Sequence, residues 1–121
     1  MTPAGSEENL LPLTPATFHI LVSLADGTMH GYAIKRAVEE RTDGVVRLGA
    51  GTLYVAIQRI ERQGLIQETD PPVPSDAGSK RWRFYRLTDY GQQVLEAEMT
   101  RLESDLRHAR SKITRPKRRR S

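Results

Sequence analysis

A short segment bounded by glycines, residues 49–65, constrains the fold of this chain more than any other. Gly49 and Gly51 permit a tight entry into a helix, and Gly64 supplies a residue that can adopt the left-handed conformation in which many helices end. The apolar positions between them recur at helical spacing and predict one buried face: Leu53, Ile57 and Ile60. The segment is therefore predicted to be an amphipathic helix with both ends encoded locally.

The other side of this predicted helix is polar and basic. It carries Thr52, Val55, Gln58, Arg59 and Arg62. A helix that is anchored by one face and polar on the other can enter the major groove of DNA and reach base edges. The same pattern fits an ordinary amphipathic surface helix, so the remainder of the chain has to decide between the two interpretations.

Length and composition limit the classes of protein that are possible. The 121 residues suffice for one small domain with an appended helix, and the absence of cysteine excludes disulfides, thiolate metal sites and cysteine nucleophiles. No apolar run approaches the roughly 18 residues of a membrane span, and the acidic pair Glu7 and Glu8 is unlike a signal peptide. We expect a cytoplasmic protein.

The positive net charge is confined to one end of the chain. Eight of the 19 basic residues lie from Arg107 onward, where no acidic residue occurs. Residues 1–106 therefore hold 11 basic and 15 acidic residues, a net charge of −4. The overall charge of +4 is a property of the tail and gives no independent support for a DNA-binding body.

The first part of the chain predicts two further helices. Residues 1–12 have the composition of a disordered arm. Thr14 followed by Pro15 is a helix start, and the apolar pattern after it continues to about Ala25. A second helix is predicted from about Gly31 to Arg41.

After Gly64 the sequence period changes from helix to strand. Residues 65–69 and the aromatic-rich residues 82–87 are predicted strands, joined by the long loop 70–81 with its basic end Lys80-Arg81. Two strands that flank a basic loop, directly after an amphipathic helix, are typical of a wing.

A long final helix is predicted from residue 89 to 114, with Thr88 as its cap. Its apolar residues repeat at spacings of four and three: Leu95, Met99, Leu102, Leu106, Ala109 and Ile113. So narrow a seam favours pairing with a second copy of the helix, and the alternative is that it packs on the first helix of the same chain. A basic tail, 115–121, follows.

The order of these elements predicts a mainly α protein with a small β-hairpin wing, in the α+β class. We expect a winged helix-turn-helix over residues 13–88 and a C-terminal dimerisation helix over 89–114, so that the protein is dimeric.

Four motifs in this order resemble those of the PadR family of transcriptional regulators. They are His30-Gly31-Tyr32, Gly51-Thr52-Leu53-Tyr54, Gly64-Leu65 and Tyr85-Arg86-Leu87-Thr88-Asp89-Tyr90-Gly91. The resemblance covers about residues 13–113, and the single final helix is similar to the short branch of the family. Two positions depart from the family pattern, because Ala50 and Val55 stand where the family usually has proline. Sequence preference therefore cannot be taken over from relatives.

The resemblance implies a sequence-specific regulator, a repressor that binds a palindromic operator in double-stranded DNA as a homodimer. It also implies that the third helix lies in the major groove and that the wing touches the neighbouring backbone. A small aromatic effector between the final helices and the core is an option, in a region that would include Met99, Leu102, Leu106, Phe18 and Trp82. Residues of these types are more often plain core, and nothing in the sequence selects a ligand.

The expected DNA contacts are His30, Tyr32, Lys35, Thr52, Tyr54, Val55, Gln58, Arg59, Lys80, Arg81 and Arg83. Gln58 can pair with adenine and Arg59 with guanine, while the wing cations suit phosphates or a narrow minor groove. Structural alternatives remain for the second helix, where His30 could act as a cap and Tyr32 could pack under the helix. Lys35 and Arg36 could pair with the glutamates one turn later.

No catalytic or metal-binding constellation is present in the sequence. The three histidines, His19, His30 and His108, fall on separate elements, so neither an enzyme nor a cofactor is expected. The carboxylates of the final helix, Glu96, Glu98, Glu103 and Asp105, are predicted to form a solvated face. Two other functions stay open, a winged-helix adapter that binds protein and a ligand sensor without its own operator.

Overall fold

The computed structural model describes residues 10–72 and 82–113. Four helices and a three-stranded antiparallel sheet make up this part of the chain. In order they are α1 (Pro15–Ala25), β1 (Met29–His30), α2 (Gly31–Arg41), α3 (Ala50–Arg62), β2 (Ile66–Thr69), β3 (Phe84–Leu87) and α4 (Asp89–Ile113). Within these residues no helix is long and apolar enough to cross a membrane.

The predicted mainly α fold with a small wing is confirmed, and the helices begin and end close to where the sequence places them. The Thr14 hydroxyl caps α1 by accepting a hydrogen bond from the Thr17 backbone N–H at 3.1 Å. The core lies between the helices and the sheet. Its fully buried side chains include Ile20, Leu21, Ile34, Val38, Ile60, Leu65, Ile66 and Val94.

The sheet has one strand more than the sequence predicts. Its strand order is β1-β3-β2, and in the added pairing Met29 lies opposite Tyr85. Two residues are too few to show the alternation of apolar and polar residues by which a strand is recognised, so β1 could not be predicted. The two wing strands are shorter than predicted, since Leu65, Trp82 and Arg83 lie outside them.

The end of α3 is fixed by a glycine in the left-handed conformation. Gly64 has a φ of +81°, and its N–H donates to the Glu61 carbonyl at 3.0 Å. The Leu65 N–H donates to the Ile60 carbonyl at 3.1 Å, which completes a Schellman motif. The predicted role of Gly64 is therefore confirmed.

Thr88 joins the end of α3 to the start of α4. Its hydroxyl donates to the Gly64 carbonyl at 2.6 Å and accepts from the Gly91 N–H at 2.9 Å, so the predicted cap is present. Gly91 is buried in the first turn of α4, where a Cβ would overlap the Leu65 carbonyl oxygen. The close packing of the final helix on the wing thus requires glycine at this position.

Packing against the core begins at Leu10, within the arm that was expected to be disordered. Leu10 and Leu11 were predicted to belong to a disordered arm, but both are half-buried and pack against the core. Apolar side chains at this point gain more by burial than the chain loses in freedom. Residues 1–9, the wing tip with Lys80 and Arg81, and the basic tail lie outside the described residues.

Glu98 corrects the prediction of a uniformly solvated face on α4. Its side chain is only 2% exposed, and both oxygens face the Arg101 guanidinium at 2.6 and 3.1 Å. The carboxylate also accepts a hydrogen bond from the Leu13 N–H at 3.0 Å. Burial is tolerated because the charge is paired and its acceptor positions are used.

Candidate nucleic-acid interface

Helix α3 divides sharply into a buried and an open face. Leu53, Ala56, Ile57 and Ile60 are all less than 7% exposed and fix the helix to the core. On the open face, Val55 is 57% exposed, and Gly51, Gln58 and Arg62 are exposed with it. These four positions follow one another at spacings of four, three and four, so they form one continuous stripe along the helix.

Arg59 lies beside this stripe instead of on it. Its guanidinium Nη2 donates to the Thr17 hydroxyl of α1 at 3.4 Å, and the side chain is half-buried. The sequence grouped Arg59 with Gln58, but one helical residue rotates the side chain by 100°, enough to turn it towards α1. Arg62, left out of the predicted contacts, is on the stripe because it follows Gln58 by four residues.

The structure confirms the alternative in which His30 caps the start of α2. Its Nδ1 accepts a hydrogen bond from the Ala33 N–H at 3.1 Å, which caps the helix. Desolvation by burial lowers the pKa of this imidazole, which favours the neutral form that a capping acceptor requires. The His30 side chain therefore has a structural role as the N-terminal cap of α2.

The alternative that Tyr32 packs under α2 is wrong. It is 57% exposed and lies 6.0 Å from the Arg36 guanidinium. The reason is geometric: Tyr32 precedes the buried Ile34 by two residues, and two helical residues separate side chains by about 200°. Its ring is consequently available to a partner at the surface.

The cations of α2 are engaged in ion pairs along the helix. Lys35 Nζ lies 2.8 Å from a Glu39 carboxylate oxygen, and Arg36 Nη2 lies 3.4 Å from Glu40. These are the pairs that the sequence offered as an alternative to phosphate contacts. The Arg36–Glu40 pair is exposed, whereas the Lys35–Glu39 pair is half-buried. An exposed ion pair contributes little stability, so an incoming phosphate can displace Arg36 from Glu40 at small cost.

A cleft of about 390 Å³ opens between the starts of α2 and α3 and the strand β3. Its lining combines apolar side chains, three tyrosines and two cations. The lining includes Tyr32, Lys35, Leu53, Tyr54, Arg83 and Tyr85. The structure thus brings together candidate contacts from the second helix, the third helix and the wing.

Trp82 lies away from the predicted effector region and contacts His30. The two ring centroids are 3.8 Å apart in an edge-to-face arrangement, and Phe84 approaches the same imidazole at 5.3 Å. Phe18 is half-buried and stacks edge-to-face on His19 at 5.5 Å. A different cavity, of about 410 Å³, reaches Met99 from Leu24 and the base of α4.

The predicted seam of α4 has two parts in the structure. Leu95 is 5% exposed and belongs to the core of its own chain, which is the alternative that the sequence left open. The rest of the seam is exposed: Met99, Leu102, Leu106, Ala109 and Ile113. A row of apolar side chains along a helix beyond the body of the domain is typical of an interaction surface.

The described residues contain no group of three or more histidine, cysteine, aspartate or glutamate side chains that could hold a metal ion. What they do contain is a helix presented by a helical core, a hairpin beside it and a long exposed helix. This arrangement defines a winged helix-turn-helix protein with an appended C-terminal helix. The chain belongs to the transcriptional regulator PadR-like family, whose model matches residues 20–97.

The chain also has a relative of undescribed function. The chain is 38% identical over 79 residues to an uncharacterized 37.1 kDa protein in a transposon of Streptomyces fradiae, a match that covers 65% of this chain and 20% of the relative. The chain thus corresponds to about a fifth of that relative's length.

Solved structures show the same fold. A transcriptional regulator from Clostridium thermocellum has a TM-score of 0.64 at 24% identity, with 83% of this chain and 93% of that chain covered. A PadR family transcription regulator from Clostridium difficile has a TM-score of 0.63 at 24% identity, with 83% and 98% covered.

Proposed function

We propose that this chain is a homodimeric repressor that binds a palindromic DNA operator through α3. The observation that carries the proposal is the open stripe of α3, Gly51, Val55, Gln58 and Arg62, on a helix whose opposite face is fully buried. A rigidly held helix with a free polar face can lie in the major groove without disturbing the core. Membership of a family of transcriptional regulators supports DNA as the partner.

Within this proposal Gln58 is the leading base-edge contact, and Arg59 contacts the DNA backbone at the flank of the helix. A glutamine amide can donate to and accept from adenine in the major groove. The Arg59 guanidinium is held beside Thr17 and not over the stripe, and we expect it to contact a phosphate from there. Thr52 in the first turn of α3 and Tyr54 in the second are both exposed, and their hydroxyl groups are suited to a phosphate as well.

Backbone contacts on the other flank come from the cleft. Among its lining residues, Lys35 and Arg83 supply charge, and Tyr32 and Tyr54 supply hydroxyl groups. Lys80 and Arg81 of the wing extend the same row of cations along the sequence. Such contacts fix the position of the protein on the duplex without reading sequence, and they make affinity fall as salt rises.

Dimerisation through α4 completes the proposal. The exposed part of the seam begins at Met99, and its side chains gain free energy when a second copy covers them. A two-fold dimer places two α3 helices about 34–36 Å apart for successive major grooves, which matches a palindromic operator. Release by a small aromatic effector is part of the proposal, and the cavity that reaches Met99 is the space that supports it.

An electrophoretic shift with duplexes from the DNA upstream of the gene tests this function. We expect the wild type to shift one duplex at a lower concentration than a scrambled duplex of equal length. Gln58→Ala should weaken that preference, whereas Gln93→Ala, an exposed glutamine on α4, should keep it. Failure of the wild type to shift any duplex at low salt would contradict the proposal.

An adapter that binds protein is the second candidate, and the exposed tyrosines favour it. Tyr32 and Tyr54 are 57% and 51% exposed and line the same cleft, and tyrosine is enriched at protein interfaces. If Tyr54→Ala and Gln58→Ala both leave DNA binding unchanged, the adapter becomes the better account.

A further inference from the structure

We propose that Val55 and Gln58 together read neighbouring A·T base pairs, so that an A·T step lies under the centre of α3 in each half-site. This inference rests on the proposed function and names the DNA sequence class that the same helix prefers.

Val55 is not part of the hydrophobic core, so packing does not explain an apolar side chain at this position. It is 57% exposed in the middle of the stripe, while the core is completed by Leu53, Ala56 and Ile57 on the other face. In the major groove the one apolar group of the base edges is the C5-methyl of thymine. The isopropyl group of Val55 is therefore suited to contact thymine and offers nothing to the amino group of cytosine.

Gln58 supplies the matching polar contact. Its amide can accept from the N6 amino group and donate to N7 of adenine, a bidentate pair that guanine cannot form in the same orientation. Three helical residues advance about 4.5 Å along the axis, and consecutive base pairs are about 3.4 Å apart. Val55 and Gln58 are thus spaced for neighbouring base pairs.

The rest of the stripe leaves this pair at the centre. Gly51 has no side chain, so the stripe itself offers none one turn before Val55. Arg59, the residue best suited to guanine, is held towards Thr17 of α1. Arg62 lies at the end of the helix, one turn beyond Gln58.

The experiment begins with selection from a library of randomised duplexes by the full chain. Each thymine of the selected half-site is then replaced by deoxyuridine, which removes only the C5-methyl. We expect one thymine per half-site at which the replacement weakens binding by about fourfold, the value of one buried methyl group. With Val55→Ala this sensitivity should disappear, whereas Val45→Ala, an exposed valine before α3, should retain it.

The outcomes separate this inference from the proposed function. Selection of a G·C-only core, or equal methyl sensitivity in the wild type and Val55→Ala, would overturn the reading by Val55 while leaving sequence-specific binding intact. If the library yields no preferred duplex at all, the proposed function fails and the inference fails with it.

Discussion

The buried carboxylate of Glu98 accepts a hydrogen bond from the backbone N–H of Leu13 at 3.0 Å, across 85 residues of sequence. This contact ties the segment before α1 to the helix that carries the exposed seam. Arg101, three residues further along α4, neutralises the same carboxylate. One acidic side chain therefore holds together the beginning and the end of the domain.

Glu98→Ala should lower the free energy of unfolding by about 1–3 kcal/mol, because the Leu13 N–H is left without its acceptor. Chemical denaturation followed by circular dichroism measures the change. Glu103→Ala, an exposed glutamate on the same helix, serves as the control and should change little. Equal stability of the two variants would show that the contact with Leu13 contributes nothing.

Acidification should remove the contribution of Glu98. The hydrogen-bonded Arg101 guanidinium holds the pKa of this carboxyl below its ordinary value of about 4.5, against the opposing effect of burial. Since the folded-state pKa is depressed, the stabilisation is fully present above the unfolded-state pKa and is lost as pH falls through the folded-state value. The stability difference between wild type and Glu98→Gln should therefore shrink between pH 7 and pH 3. A difference that stays constant over this range contradicts the assignment.

Gly91→Ala should destabilise the fold by about 1–3 kcal/mol, since the new Cβ overlaps the Leu65 carbonyl oxygen and forces α4 away from the wing. Gly51→Ala is the matched control. Its Cβ has open space, and alanine favours a helix over glycine by up to about 1 kcal/mol. Thermal unfolding of both variants measures the contrast, and a fold that tolerates both equally would rule out the close approach at Gly91.

Leu106→Glu should dissociate the proposed dimer, because it places a charge in the middle of the exposed seam of α4. Leu106 is 53% exposed in the single chain, so the substitution leaves the core untouched. Ser104→Glu puts the same charge about 200° around the helix and should leave the dimer intact. Sedimentation velocity distinguishes the species. An unchanged mass for Leu106→Glu, or a wild type that is already monomeric, argues against pairing through this face.

Most of the fold could be predicted from the sequence because its signals are local. The cap at Thr14, the helix end at Gly64 and the cap at Thr88 each depend on residues close in the chain, and the structure shows all three. The pairing of β1 with β3 could not be predicted, since it depends on residues more than fifty positions apart. Family membership followed from four short motifs and is shown by the family model.

The candidate site was less accessible to sequence reasoning, because small rotations decide which side chain is free. Arg59 and Gln58 are neighbours in sequence, but only Gln58 is on the open stripe. Glu98 looks like any charged residue of an exposed helix, and only the tertiary contact with Leu13 reveals that it is buried. Leu95 fits a heptad seam and a domain core equally well, and the packing of α4 decides for the core.

The most direct test of the central claim is the ratio of dissociation constants for a selected operator and a scrambled duplex, measured at one salt concentration for wild type and Gln58→Ala. Loss of a bidentate base contact should reduce this ratio by about 5- to 150-fold, corresponding to 1–3 kcal/mol, while binding to the scrambled duplex stays the same. An unchanged ratio in Gln58→Ala would contradict the claim that α3 reads the operator through its open stripe.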